Sequence, residues 1–160
     1  MRQAPERVTR LCLADTSARA DTPAQVERRR ALIQIVQSGT FRGVTRRLLP
    51  TFLHPDLVED PAVGGVVMAM AEATGRDAYA RQQRAILARA DGRADLALID
   101  CPTLVICGRQ DKVTPLELSE EIARGIGGAR LAVIDDCGHL PALERPEQVT
   151  ALMREWLAAA

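Results

Sequence analysis

Pro102-Thr103-Leu104-Val105-Ile106-Cys107-Gly108-Arg109-Gln110-Asp111-Lys112-Val113-Thr114-Pro115 changes character at its middle. The first half is apolar and β-branched, the composition of a strand buried on both faces. From Gly108 to Pro115 it becomes a polar loop. Leu116 to Ile126 then has the spacing of an amphipathic helix closed by Gly127-Gly128. Arg130-Leu131-Ala132-Val133-Ile134 is a second buried strand. The loop Asp135-Asp136-Cys137-Gly138-His139-Leu140-Pro141 follows it directly. Pro146 opens a last helix with Val149, Leu152, Met153, Trp156 and Leu157 on one face. Strand, loop, helix, strand, loop, helix with short connections is the order of a parallel α/β sheet. In such sheets ligands meet the loops at the carboxyl ends of the strands. Those loops here are 108–115 and 135–141.

Upstream, Val8 to Ala14 reads as a short buried strand that belongs with the other two. Thr22-Pro23-Ala24-Gln25 has the N-cap, the N1 proline and the N3 glutamine of a capping box. Leu32, Ile33, Ile35 and Val36 continue at helical spacing, and Gly39 stops the helix. A second helical piece is expected from about Phe41 to Leu49, ended by Pro50. A third opens at Asp60-Pro61 and runs to Gly75. A fourth runs from about Asp77 to Arg89. No strand signal interrupts Pro23 to Ala90, so the block reads as an all-helical insert. The expected organisation is a first core strand with its lead-in at 1–22, a helical lid at 23–95 and an α/β core at 96–160.

Composition narrows the function. The 160 residues suffice for one domain with a real core, and 21 basic residues balance 21 acidic ones. Nucleic acid is not expected as a partner, because phosphate binding needs a basic surplus or stripe. The basic run Glu27-Arg28-Arg29-Arg30 reads as the solvated face of a helix. No segment reaches the roughly 18 apolar residues of a membrane span, and the charged opening MRQAPERVTR is unlike a secretory signal. Cys12, Cys101, Cys107 and Cys137 form no CxxC pair, which fits reduced thiols in a cytoplasmic protein.

The loop 135–141 raises three chemistries. A metal cluster of Asp135, Asp136, Cys137 and His139 would mix hard and soft ligands at spacings narrower than zinc sites use. A Cys137–His139 nucleophile pair would take both partners from one loop, whereas such pairs usually come from separate elements. The third reading joins the two loops. Asp111 and His139 follow neighbouring parallel strands roughly 5 Å apart. A carboxylate that accepts the Nδ1–H of an imidazole fixes its tautomer and leaves Nε2 free to take a proton. Asp111 and His139 are therefore the candidate catalytic residues, and nothing in the sequence implies a metal or cofactor.

Three stretches carry a resemblance. They are PTLVICGRQDKVTP, with the pattern G-x-x-D-x-x-T-P; GARLAVIDDCGHLPALERPEQV, with G-H-x-P and E-x-P-E; and the terminal LMREWL. Together they resemble the C-terminal half of α/β-hydrolase-fold enzymes, and APERVTRLCLADTSARADTP resembles the strand that leads into the family's lid. The chain is most similar to the ester-, lactone- and C–C-bond-cleaving members, which include pimeloyl-ACP methyl ester carboxylesterases and enol-lactonases. The resemblance implies three strands of an α/β-hydrolase parallel sheet with a helical lid insert. It implies Asp111 as the acid, His139 as the base and a small-molecule acyl substrate, with no cofactor. The family's nucleophile lies on a Gly-x-Ser-x-Gly turn, in the order Ser, Asp, His. The serines of this sequence, Ser17, Ser38 and Ser119, lie on no such turn. Gly39-Thr40-Phe41-Arg42-Gly43 has the glycines around a phenylalanine, and the His-Gly oxyanion loop is missing too. The expectation is a hydrolase half that begins past the nucleophile helix and has little esterase activity alone. Its first strand would pair with a complementing N-terminal half or with another copy. The alternative is a non-catalytic module, descended from a hydrolase, that binds a ligand or partner.

Overall fold

The computed structural model describes residues 1–39 and 43–159. Three strands form one parallel sheet in the order β1-β2-β3, with β1 at Leu11–Ala14, β2 at Thr103–Gly108 and β3 at Arg130–Ile134. The register sets Ala14 beside Ile106 and Gly108 beside Ile134. The carboxyl ends of all three strands therefore lie side by side. β2 is buried at every position, as its continuous apolar run requires of a central strand.

Alternation along β2 divides the core in two. Leu104 and Ile106 join Ala132, Ile134, Cys137 and Val149 on the side of helix α6, Pro146–Ala158. Val105 joins Ile122 and Ile126 on the side of helix α4, Leu116–Gly125. Leu96, from the helical turn Arg93–Leu98, completes that second layer.

Between β1 and β2 the described residues are helical or irregular. Helix α1, Pro23–Gln37, opens on the expected capping box, with Thr22 and Gln25 exchanging hydrogen bonds. Arg29 departs from the solvated-face reading. It pairs with Asp21 at 2.6 Å and donates to Gln83 at 2.8 Å, tying α1 to helix α3. α3 spans Gly64–Leu87 and breaks at Gly75, whose φ of 71° is left-handed. The run is therefore two helices that meet at that glycine, in line with the third and fourth expected helices.

The expected helix ending at Pro50 is placed differently. A helical turn at Arg46–Leu48 leads into the short helix α2, Leu49–Phe52, and Pro50 lies in its first turn. A proline lacks only an N–H that the first turn would leave unpaired, so it starts this helix instead of ending it. Phe41, the expected start, lies outside the described residues. The first strand is also shorter than expected: Val8 closes the helical turn Pro5–Arg7, and pairing begins only at Leu11.

The insert has its own apolar cluster of Leu49, Leu53, Val63 and Val67, joined by Leu140 and Leu143 from the loop and short helix α5, Pro141–Glu144, that follow β3. Leu49 is buried, and Phe52 and Met68 pack against this cluster. Met70 is 58% exposed.

Candidate active site

The ends of β2 and β3 bring the two expected residues together. Asp111 lies three positions beyond β2 and is buried; His139 lies five beyond β3 and is partly exposed. His139 Nδ1 and Asp111 Oδ2 are 2.9 Å apart. The other bonds to Asp111 come from its own loop. Oδ1 accepts the N–H groups of Val113 and Thr114, and Oδ2 accepts the Thr114 hydroxyl at 2.7 Å. Burial opposes charge on this carboxyl. The bonds from His139 and Thr114 outweigh it and hold the group below the ordinary carboxylate range. An ionised Asp111 facing Nδ1 places the ring proton on that nitrogen and leaves Nε2 as the base.

The backbone holds the two loops in contact. Gln110 N–H donates to Cys137 O at 2.9 Å, and its side-chain oxygen accepts Cys137 N–H at 3.0 Å. A β-carbon on Gly108 would sit 1.9 Å from Gly138 O. Only glycine there lets the base loop cross the end of β2. Asp135 pairs with Arg109, and Asp136 turns the chain at φ 52°. Cys137 is fully buried, and burial pushes its thiol up to about 12. The neighbours of His139 thus serve as turn and core, while the histidine reaches the acid on the other loop.

The insert is stitched to this site. His139 N–H donates to Phe52 O at 2.7 Å, and the two rings lie 6.4 Å apart. Lys112 donates to Pro50 O at 3.0 Å. Glu144 is buried and its carboxylate accepts three backbone N–H groups: His54 at 2.7 Å, Gly138 at 2.9 Å and Leu140 at 3.0 Å. One side chain thus fixes both neighbours of His139 and the end of α2. The sequence offered a signal for it, the E-x-P-E pattern, but no role. Asp15, at the end of β1, was missed altogether. It is buried, and together with Asp111 and His139 it places ligand-type atoms within 4.8 Å of one another. A cleft of about 420 Å³ opens within the insert between α1, α2 and α3, lined in part by Leu32, Val36, Leu48, Phe52 and Ala71.

A parallel sheet with an aspartate and a histidine bonded across adjacent carboxyl-end loops is the arrangement expected from the resemblance. The family model for the alpha/beta hydrolase fold matches residues 2–146, and the chain belongs to that family. A pimeloyl-[acyl-carrier protein] methyl ester esterase of Neisseria meningitidis serogroup C is 31% identical over 159 residues, covering 96% of this chain and 61% of that protein. A thermophilic esterase from Thermogutta terrifontis, solved with malate bound, superposes with a TM-score of 0.89 at 32% identity, over 98% of this chain and 58% of its own. The enol-lactonase of Burkholderia xenovorans LB400 superposes with a TM-score of 0.81 at 28% identity, over 98% and 58%. The chain spans 61% of the length of the first curated relatives it matches. Among the described residues, no helix is long and apolar enough to cross a membrane.

Proposed function

We propose that this chain supplies the acid and the base of a carboxylic ester or lactone hydrolase, with Asp111 as acid and His139 as base. The observation that carries the reading is the 2.9 Å bond between His139 Nδ1 and Asp111 Oδ2 across two neighbouring strand-end loops. In the reaction His139 Nε2 takes the proton of a serine hydroxyl as that oxygen bonds to the acyl carbon. The same nitrogen then gives the proton to the departing alkoxide as the C–O bond breaks. Water repeats the exchange and frees the acid. The cleft beside Phe52 suits the apolar part of an acyl substrate.

The nucleophile on this reading lies outside the 160 residues, since Ser17, Ser38 and Ser119 lie on no Gly-x-Ser-x-Gly turn. Ser119 is fully buried. The 160 residues alone then have no acyl-transfer step. A serine-directed fluorophosphonate tests this. The expected result is no covalent adduct on the purified chain. A stoichiometric adduct on one of its serines, lost in His139→Ala, would overturn it.

The complementing strand pairs along β1, whose outer edge has no neighbour in this sheet. The helical insert at 23–95 acts as the lid. A second reading, binding without chemistry, rests on the cleft alone. It predicts uptake of an apolar fluorophore that is unchanged in His139→Ala.

A further inference from the structure

Asp15 ends β1 with a left-handed φ of 42°, a conformation that aspartate tolerates better than most residues. Its Oδ1 accepts the Gly108 N–H at 2.9 Å. The Gly108 carbonyl in turn accepts Asp111 N–H at 3.2 Å, and Asp111 holds His139. Asp15 is therefore the root of the chain of bonds that ends on the imidazole. Its second oxygen is excluded from solvent and accepts no hydrogen bond from the described residues. A charged carboxylate with an orphaned, dry oxygen is costly, and a proton on that oxygen turns an unmet acceptor into a donor.

We propose that Asp15 is a positioning residue for the Asp111–His139 pair: a carboxylic acid held neutral beside it, so that one negative charge and not two faces the imidazole. The proposal rests on the acid–base reading of that pair. The titratable groups around Asp15 are Cys107 on β2, Asp111 in the loop after it, and Cys137 and His139 after β3. Burial pushes both thiols up to about 12, so they are uncharged and Asp111 and His139 remain. Burial is also the main force on Asp15. With the nearby Asp111 charge it outweighs the Gly108 bond and the His139 charge, and pushes the carboxyl up to about 7. Near neutral pH a small alkaline step then adds a second charge to the site.

The test is a carbon-13 NMR titration of the aspartate carboxyl carbons in the full chain. Asp15 is assigned by the resonance missing in Asp15→Asn or, should that variant not fold, by sequential connectivity in the wild type. The expected Asp15 midpoint is about 7. It should fall in Asp111→Asn, which removes the neighbouring charge, a response that a merely structural carboxyl would not give. Asp15→Asn, which mimics the neutral acid, should keep the low-field Nδ1 proton resonance of His139. A wild-type midpoint below about 5, in the range of ordinary carboxyls, would overturn the proposal. So would a midpoint unmoved by Asp111→Asn. None of these readouts needs turnover, so turnover that survives His139→Ala would count against the acid–base reading and not against the charge state of Asp15.

Discussion

Asp111, His139, Glu144 and Asp15 divide the work of the site. The first two face each other, Glu144 anchors the loop that carries His139, and Asp15 anchors the loop that carries Asp111. Glu144→Ala would leave the N–H groups of His54, Gly138 and Leu140 without their acceptor. Each such loss costs about 1–3 kcal/mol, less where the loop relaxes toward water. We expect at least about 3 kcal/mol of lost stability by urea unfolding, with Glu144→Gln intermediate because it keeps one acceptor oxygen. Asp15 gives a pH dependence of definite sign. Its folded carboxyl titrates at about 7 against an ordinary 3.8, so the unfolded chain holds fewer protons between those values. Stability contributed by the neutral acid is full below the lower value and is lost as pH rises through the upper one. The whole effect is at most roughly 4 kcal/mol. Asp15→Asn should therefore gain stability over the wild type as pH rises from about 5 to about 8 in chemical denaturation. A constant difference across that range would exclude an elevated Asp15.

The elements were legible in the sequence to different degrees. β2, β3, α4 and α6 announce themselves because a run such as Leu104-Val105-Ile106 or a face such as Val149 and Leu152 matches a single period. The capping box at Thr22 is equally local, and Thr22→Ala should cost about 1 kcal/mol of stability by the same urea measurement. Asp111 and His139 could be paired because they follow neighbouring strands. Their contacts to the insert could not, since Phe52 O and Pro50 O are backbone acceptors that carry no residue signature. Pro50 was misplaced for a related reason: proline starts helices as readily as it ends them, and the choice depends on what Leu49 packs against. Asp15 looks like an ordinary strand-end turn until its neighbours in space are known. The crossing of β2 by the base loop makes one element-scale prediction. Gly138→Ala would place a β-carbon 2.5 Å from Phe52 O and should force α2 away from His139. We expect a loss of about 1–3 kcal/mol or more, and a changed His139 amide shift.

At the scale of the whole molecule, a three-stranded parallel sheet is covered on both faces but open along β1, and the insert hangs from the loops that carry Asp111 and His139. The open edge of β1, together with exposed apolar side chains elsewhere such as Ile35 and Leu98, favours association. Sedimentation of the purified chain should show self-association that grows with concentration, and a strictly monomeric profile would count against an edge that needs a partner. The central claim is that Asp111 and His139 act as acid and base for a nucleophile held elsewhere. It is tested most directly by a chimera in which this chain replaces the matching part of the Thermogutta terrifontis esterase. The measurement is kcat for a chromogenic ester. The chimera should turn over the ester, and its kcat should fall by roughly 10²–10⁴ in His139→Ala and substantially in Asp111→Asn. Turnover that is robust and unchanged in His139→Ala would contradict the central claim.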